Sequence, residues 1–212
     1  EPLQAHPHAA ILLRKDFEIC RPVRRAWVRM SGLGWSELSL NGARVGDAVL
    51  SPQFTDYDER VPYVMHDVTA ALRAGANTFG VILGNGFSAT PGKGYLKWYG
   101  NGGPPRLLLQ LDVEHDDGTR RAVGSDGSWA WSTGAITFND LWAGETIDAR
   151  RDQPGWDAPG FAAKGWLPAL RVAGPRGKPF ARTIAPVRVL ATTSPVSVEG
   201  NLFHFELAGT GS

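Results

Sequence analysis

What this chain lacks narrows its chemistry first. A single cysteine, Cys20, stands among its 212 residues. No intrachain disulfide can form, and no cysteine cluster exists for zinc or redox chemistry. Charge of either sign is not in excess: 22 basic residues meet 21 acidic ones, and no run of Lys or Arg exceeds two. The electrostatic footprint expected of a partner for nucleic acid or an anionic membrane is therefore absent. Apolar runs fall well short of a membrane span. The five histidines, His6, His8, His66, His115 and His204, show no paired spacing beyond His6-x-His8 near the start of the chain, which argues against a transition-metal site. Neither a phosphate-binding glycine fingerprint nor a nucleophile elbow occurs. The chain opens at Glu1-Pro2 with no leader-like stretch, so it reads as an excised segment or a mature form. The compartment stays open, with secretion favoured over the cytoplasm.

Sustained helical periodicity is missing too, and what replaces it is informative. Gly and Pro, 26 and 15 of them, are spread along the chain and punctuate many short extended segments, which is the pattern of an all-β fold. At 42% hydrophobic content the chain can bury one sizeable core. Alternation over Arg25 to Met30 puts Ala26, Val28 and Met30 on one strand face, with Arg25, Trp27 and Arg29 on the other. Asn41-Gly42 predicts a hairpin, because both residues tolerate positive φ in a type I′ turn. A strand over Val61 to Met65 contains Pro62, which suggests an edge or a strand start. Asp67 to Gly75 reads as a short helical turn, with Asp67 or Thr69 as its cap. The strand Thr78 to Leu83 is apolar enough to be central. Leu107, Leu109, Leu111 and Val113 line the inner face of another strand, which Asp116-Asp117-Gly118 turns back.

Two segments carry candidate chemistry. Residues 84 to 105 form a long Gly/Pro/aromatic loop containing Asn85, Gly86, Tyr95, Trp98 and Tyr99, either one wall of a site or a cover for the end of the sandwich. Gly134 to Arg150 gathers Asn139, Asp140, Trp142, Glu145, Asp148 and Arg150, and its glycines make it loop followed by strand. Oxygen donors beside an aromatic plate suit a small polyol or a hard cation. Trp129 and Trp131 project to the same face and fit core or cover better than a ligand platform. Trp156 and Trp166 read as structural, and Asp148 with Arg150 as an ion pair.

Ordered motifs at consistent spacing carry a resemblance. Asn41-Gly42-Ala43-Arg44-Val45-Gly46-Asp47, Pro52-Gln53-Phe54-Thr55-Asp56-Tyr57, Tyr63 with Asp67-Val68-Thr69, Gly84-Asn85-Gly86-Phe87 and Gly144-Glu145-Thr146-Ile147-Asp148-Ala149-Arg150 together resemble the N-terminal β-sandwich module of bacterial α-L-rhamnosidases. The resemblance covers roughly residues 12 to 190. It implies an antiparallel jelly-roll sandwich of the galactose-binding type over residues 10–190, with 191–212 an exit strand and the start of the next β domain. In the parent enzyme a helical barrel would carry the glycosidase carboxylates, so no residue of this chain is expected to be catalytic.

The resemblance further implies rhamnose binding through calcium. In ligand-binding members an adjacent Asp and Asn hold the ion, and the matching pair here is Asn139-Asp140, in reversed order. Neighbouring strand residues point to opposite faces, so the reversal matters unless a loop presents both oxygens. The expected sugar-binding set is Asn85, Gly86, Tyr95, Trp98, Asn139, Asp140 and Trp142, with Asn139 and Asp140 as the metal ligands. Partners would be L-rhamnose or rhamnose-containing glycans and the parent enzyme's catalytic domain. The competing reading is a purely structural sandwich that packs on that domain without binding sugar.

Overall fold

A computed structural model describes residues 8–88 and 104–206. Tyr95, Trp98 and the other aromatics of the long loop's middle lie outside the described residues. The chain forms β1 (Ile11–Ile19), β2 (Val23–Leu33), β3 (Trp35–Leu40), β4 (Ala43–Arg44), β5 (Ala48–Val49) and β6 (Arg60–Asp67). β7 (Gly75–Gly84), β8 (Arg106–His115), β9 (Arg120–Gly124), β10 (Ala130–Thr133), β11 (Ile136–Asp140) and β12 (Gly144–Ile147) follow. The last are β13 (Leu167–Pro168), β14 (Lys178–Ala181), β15 (Val187–Arg188), β16 (Ser197–Glu199) and β17 (Leu202–His204). Helix is confined, among the described residues, to two single 3₁₀ turns, Thr69–Ala71 and Ala149–Arg151, neither of which could cross a membrane.

Two sheets face each other: a six-stranded one in the order β13-β10-β1-β7-β3-β4 and a five-stranded one in the order β14-β6-β2-β8-β9. This is the all-β sandwich that the turn punctuation predicted. β7 is central, paired with β1 on one side and β3 on the other. Period-two alternation fills the space between the sheets. Ala26, Val28 and Met30 from β2 meet Val81 and Phe79 from β7 and Leu109, Leu111 and Val113 from β8, all at most 3% exposed. Phe79 stacks on Phe17 at 4.7 Å and on Trp129 at 6.3 Å between ring centroids. Trp129 is thus a core residue, with Trp131 packed against the same cluster. Burying each such side chain contributes about 1.5–3 kcal/mol.

Local signals explain the connections. Asn41 and Gly42 have φ of 56° and 80°, as the hairpin dipeptide requires. Asn41 has a second task that spacing does not reveal: its side-chain oxygen accepts the Thr78 amide at 2.9 Å, and its Nδ2 donates to the Oδ1 of fully buried Asn77 at 2.9 Å. The 3₁₀ turn is capped by Val68, without a side-chain bond, rather than by Asp67 or Thr69 as expected; Asp67 Oδ1 accepts the Thr69 amide at 2.9 Å just ahead of it. Pro62 corrects the expectation of an edge, since β6 lies between β2 and β14. The proline is tolerated because β2 pairs only with Val64 to Asp67, while Arg60 to Tyr63 pair in parallel with β14. Near the C-terminus the β16–β17 hairpin pairs Val198 with Phe203, and both are more than half exposed.

One cation is drawn into the sandwich. Lys15 lies on the inner face of β1 and is 8% exposed, and its Nζ reaches Asp126 Oδ2 and Ser128 Oγ, both at 2.8 Å. Lys15, followed by the Ser128 hydroxyl and amide, holds the Asp126 carboxyl down at about 2. Because the folded value lies below the unfolded one of about 3.9, this contribution is complete above about pH 4 and is lost as pH falls through 2. Urea midpoints of the parent and of Asp126→Asn should therefore differ at neutral pH and converge between pH 4 and 2. A gap independent of pH would contradict this role.

Candidate functional site

The stretch 134–150 is not loop followed by strand. β11 and β12 form a separate two-stranded hairpin, in which Asn139 pairs with Glu145 and Asp140 with Gly144. Such a ribbon is marginal alone, and this one is fastened by a set of amide bonds. Asn139 Oδ1 accepts the Asn85 backbone amide at 2.7 Å, and Asn85 Nδ2 donates to the Asn139 carbonyl at 2.8 Å. The His8 carbonyl accepts from Asn139 Nδ2 at 2.8 Å, the Asn139 amide at 3.0 Å and Asn85 Nδ2 at 3.1 Å. Asn85 and Asn139 are 3% and 7% exposed. They clamp the hairpin to the end of β7.

The clamp leaves a cleft of about 280 Å³ between the hairpin and the outer face of the six-stranded sheet. On the sheet side stand Trp35 and Glu37 of β3, with Ile82 and Gly84 across from them on β7. The hairpin supplies Ile136, Asn139, Asp140, Leu141 and Glu145. Gly86, at φ 46°, forms part of the floor. A Cβ there would lie 2.9 Å from the Gly34 carbonyl carbon, and one on Gly34 would lie 2.1 Å from the Gly84 carbonyl oxygen. These backbones touch, so only glycine fits. Leu50 closes one side with φ of 51°, a left-handed conformation that costs a bulky residue energy. It is held by its neighbour, since the Ser51 carbonyl accepts the Ser36 amide at 2.8 Å. Strain of this kind concentrates where a side chain is presented to a ligand.

The residues expected from sequence divide by role. Gly86, Asn139 and Asp140 meet in the cleft. Asn85 lies behind it as part of the clamp. Trp142 sits on the β11–β12 turn, 73% exposed and outside the cleft lining. Asn139, expected as a metal ligand, also has a structural duty, since its amide oxygen and nitrogen are both bonded within the protein. Asp140 Oδ1 accepts the Trp142 and Ala143 amides, each at 2.8 Å, and so caps the turn. The reversed order thus puts the amide inward and the carboxylate at the rim.

Trp35 and Glu37 were missed. Their signal was the alternation of β3, which buries Ser36, Leu38 and Leu40 and turns Trp35 and Glu37 outward. Glu37 is neutralised by Arg44 at 3.0 Å, whereas Asp140 and Glu145 have no ion-pair partner among the described residues. Two uncompensated carboxylates suit a hard cation, yet no three His, Cys, Asp or Glu side chains gather as a metal site among the described residues. The donor set therefore fits calcium only if most of its six to eight oxygens come from solvent or ligand. Asp148 and Arg150 form the expected pair, Oδ1 to Nε at 2.8 Å, and the guanidinium holds the Asp148 carboxyl below its usual range. Trp156 stacks on Trp166 at 5.9 Å, over the same sheet.

Residues 21–191 match the model of the α-L-rhamnosidase N-terminal domain. The chain belongs to that family. An α-L-rhamnosidase of Streptomyces avermitilis is 41% identical over 163 residues, which make up 75% of this chain and 15% of that protein. One from Formosa agariphila is 33% identical over 206 residues, 93% of this chain and 21% of that protein. The crystal structure of Streptomyces avermitilis α-L-rhamnosidase complexed with L-rhamnose superposes with a TM-score of 0.82 at 36% identity, covering 91% of this chain and 19% of that one. This N-terminal domain spans at most about a fifth of the length of these relatives.

The clamp predicts unequal costs for neighbouring substitutions. Asn139→Ala strands the buried Asn85 amide and should destabilise the domain by about 2–4 kcal/mol, whereas Asp140→Ala loses only a turn cap, about 1 kcal/mol. Urea unfolding of both variants is the check. Equal costs would remove the clamp from its structural role.

Proposed function

We propose that this domain is a non-catalytic carbohydrate-binding module that takes L-rhamnose or a terminal rhamnosyl group in the cleft between the β11–β12 hairpin and the outer face of β3 and β7. One observation carries the reading. Segments about 50 residues apart in sequence, around Gly86 and Asn139-Asp140, converge on a cleft that has an aromatic and aliphatic wall and two carboxylates without an ion-pair partner among the described residues. Its volume is near the lower end for small-molecule sites, which suits one sugar unit rather than a chain. Trp35, Ile82 and Leu141 offer an apolar wall to the ring and methyl of a deoxysugar, while Asp140 and Glu145 face its hydroxyls. Family membership and the L-rhamnose complex of the Streptomyces relative support the same ligand.

Calcium is the proposed bridge, centred on the Asp140 carboxylate. When bound, the ion supplies a positive centre that vicinal hydroxyls can ligate. Asn139 positions the hairpin from behind. Glycosidase chemistry is assigned to the remainder of the parent enzyme, the domain's covalent partner. The hairpin carboxylates have no independent sign of the paired geometry, about 5–9 Å across a scissile bond, that hydrolysis requires.

Calorimetric titration with L-rhamnose, with calcium and with chelator, tests the reading. A single monosaccharide should bind with Kd of ~10 μM to 1 mM, about −4 to −7 kcal/mol, and more weakly in chelator. By linkage, rhamnose should tighten calcium by the same factor. Asp140→Ala should abolish binding. Undiminished binding by that variant would move the site elsewhere, and no binding at all by the calcium-loaded parent would favour the purely structural role.

A further inference from the structure

The opposite face of the sandwich carries a second cleft, of about 320 Å³, on the outer side of the five-stranded sheet. We propose that it is a separate binding site for a neutral hexose or deoxyhexose unit, which would make the domain bivalent for glycan. The cleft crosses the sheet from Pro179 on β14, past Tyr63 on β6 and Ser31 on β2, to Leu108 and Gln110 on β8. Alternation puts these side chains outside. Met30 is buried in the core between the sheets, and a Cβ on Gly32 would meet Leu83 of the other sheet, so Ser31 between them turns outward, opposite Leu108.

Four features select the ligand. Ser31 is 3% exposed, yet its hydroxyl has no hydrogen-bond partner among the described residues; an orphaned buried hydroxyl is rare in a folded protein, and a small parting of the side chains over it would let a polar ligand supply the partner. The Tyr63 ring, Pro179 and Leu108, the last 57% exposed, provide the aromatic and aliphatic wall on which the C–H face of a pyranose packs. Charge is balanced locally: Arg29 pairs with Asp112, and Gln110 Nε2 donates to the same carboxylate at 2.7 Å. Among the described residues its lining holds no spare cation for an anionic ligand, and the Tyr63 hydroxyl and the Gln110 amide oxygen have no partner. Lastly, the middle of the cleft lies over β2 and β8, interior strands whose backbone groups are paired on both sides, so ligand contacts there fall to side chains.

The inference does not rest on the first cleft, and the test keeps the two apart. The isotopically labelled 212-residue chain would be titrated with L-rhamnose, D-galactose and D-glucose while backbone amide shifts are followed. At least one sugar should saturably move the amides of Ser31, Leu108 and Gln110, and should do so equally in Asp140→Ala. Tyr63→Ala, which removes the ring, should weaken that response roughly tenfold or more. Leu108→Lys, a substitution at an exposed position that leaves the core intact, should weaken it similarly and keeps the test valid if the tyrosine variant fails to fold. Absence of saturable shifts at these amides with all three sugars would overturn the proposal. So would shifts unchanged in Leu108→Lys, or shifts that instead follow protein concentration and mark the face as a protein contact.

Discussion

The site depends on one interaction, the amide clamp among His8, Asn85 and Asn139. The β11–β12 hairpin belongs to neither main sheet. Outside the clamp its described backbone ties to the rest of the fold are few, such as the Ala10 amide bonded to the Ile136 carbonyl at 3.1 Å. Side-chain amides suit this task because each offers both a donor and an acceptor. Two of them can therefore satisfy several backbone groups where regular pairing ends. With the clamp closed, the ribbon stands off the outer face of β3 and β7 and the space between becomes a cleft. With it open, Asp140 and Glu145 would belong to a solvent-exposed flap with no fixed relation to Trp35.

The same geometry divides labour between two adjacent residues. Period two on a strand sends Asn139 towards the body of the domain and Asp140 to the rim, where one oxygen caps the turn. A neutral amide is the group better suited to burial and a carboxylate the one better suited to solvent. The order Asn-Asp thus places each group where its desolvation cost is lowest. Glu145, across the ribbon from Asn139, lines the cleft from the other strand of the hairpin. The cleft combines apolar walls with a concentrated negative rim because Arg44 neutralises Glu37 but no described cation reaches the hairpin carboxylates.

Much of the sandwich was legible in the sequence because its signals are local. The alternation of Ala26, Val28 and Met30 and the Asn41-Gly42 turn each depend on residues a few positions apart; the expected cap at Asp67 or Thr69 falls instead on Val68, with Asp67 Oδ1 accepting the Thr69 amide just ahead of the turn. Of the two readings of Pro62, the edge fails and the strand start is near the mark, because its tolerance depends on where β2 stops pairing, which is a property of another strand's register. The hairpin at 136–147 was hidden because the alternation of Ile136-Thr137-Phe138-Asn139 runs over only four residues and Gly144 reads equally as a loop breaker or a turn residue. Of the residues lining the first cleft, Gly86, Asn139 and Asp140 were singled out from the sequence. Trp35 and Glu37 were not, because their outward face on β3 becomes a wall only when a segment a hundred residues later folds over it. Ser31 was invisible for the same reason: a serine in an apolar strand carries no mark of whether its hydroxyl finds a partner.

The central claim is that the cleft under the β11–β12 hairpin is where sugar binds, and crystals of the domain grown with calcium and soaked in L-rhamnose test it most directly. The account predicts one sugar ring lodged between Trp35 and the hairpin, with hydroxyls directed at the Asp140 carboxylate and Asn139 still bonded to Asn85. Sugar bound only at another surface, with that cleft holding solvent at saturating rhamnose, would contradict it.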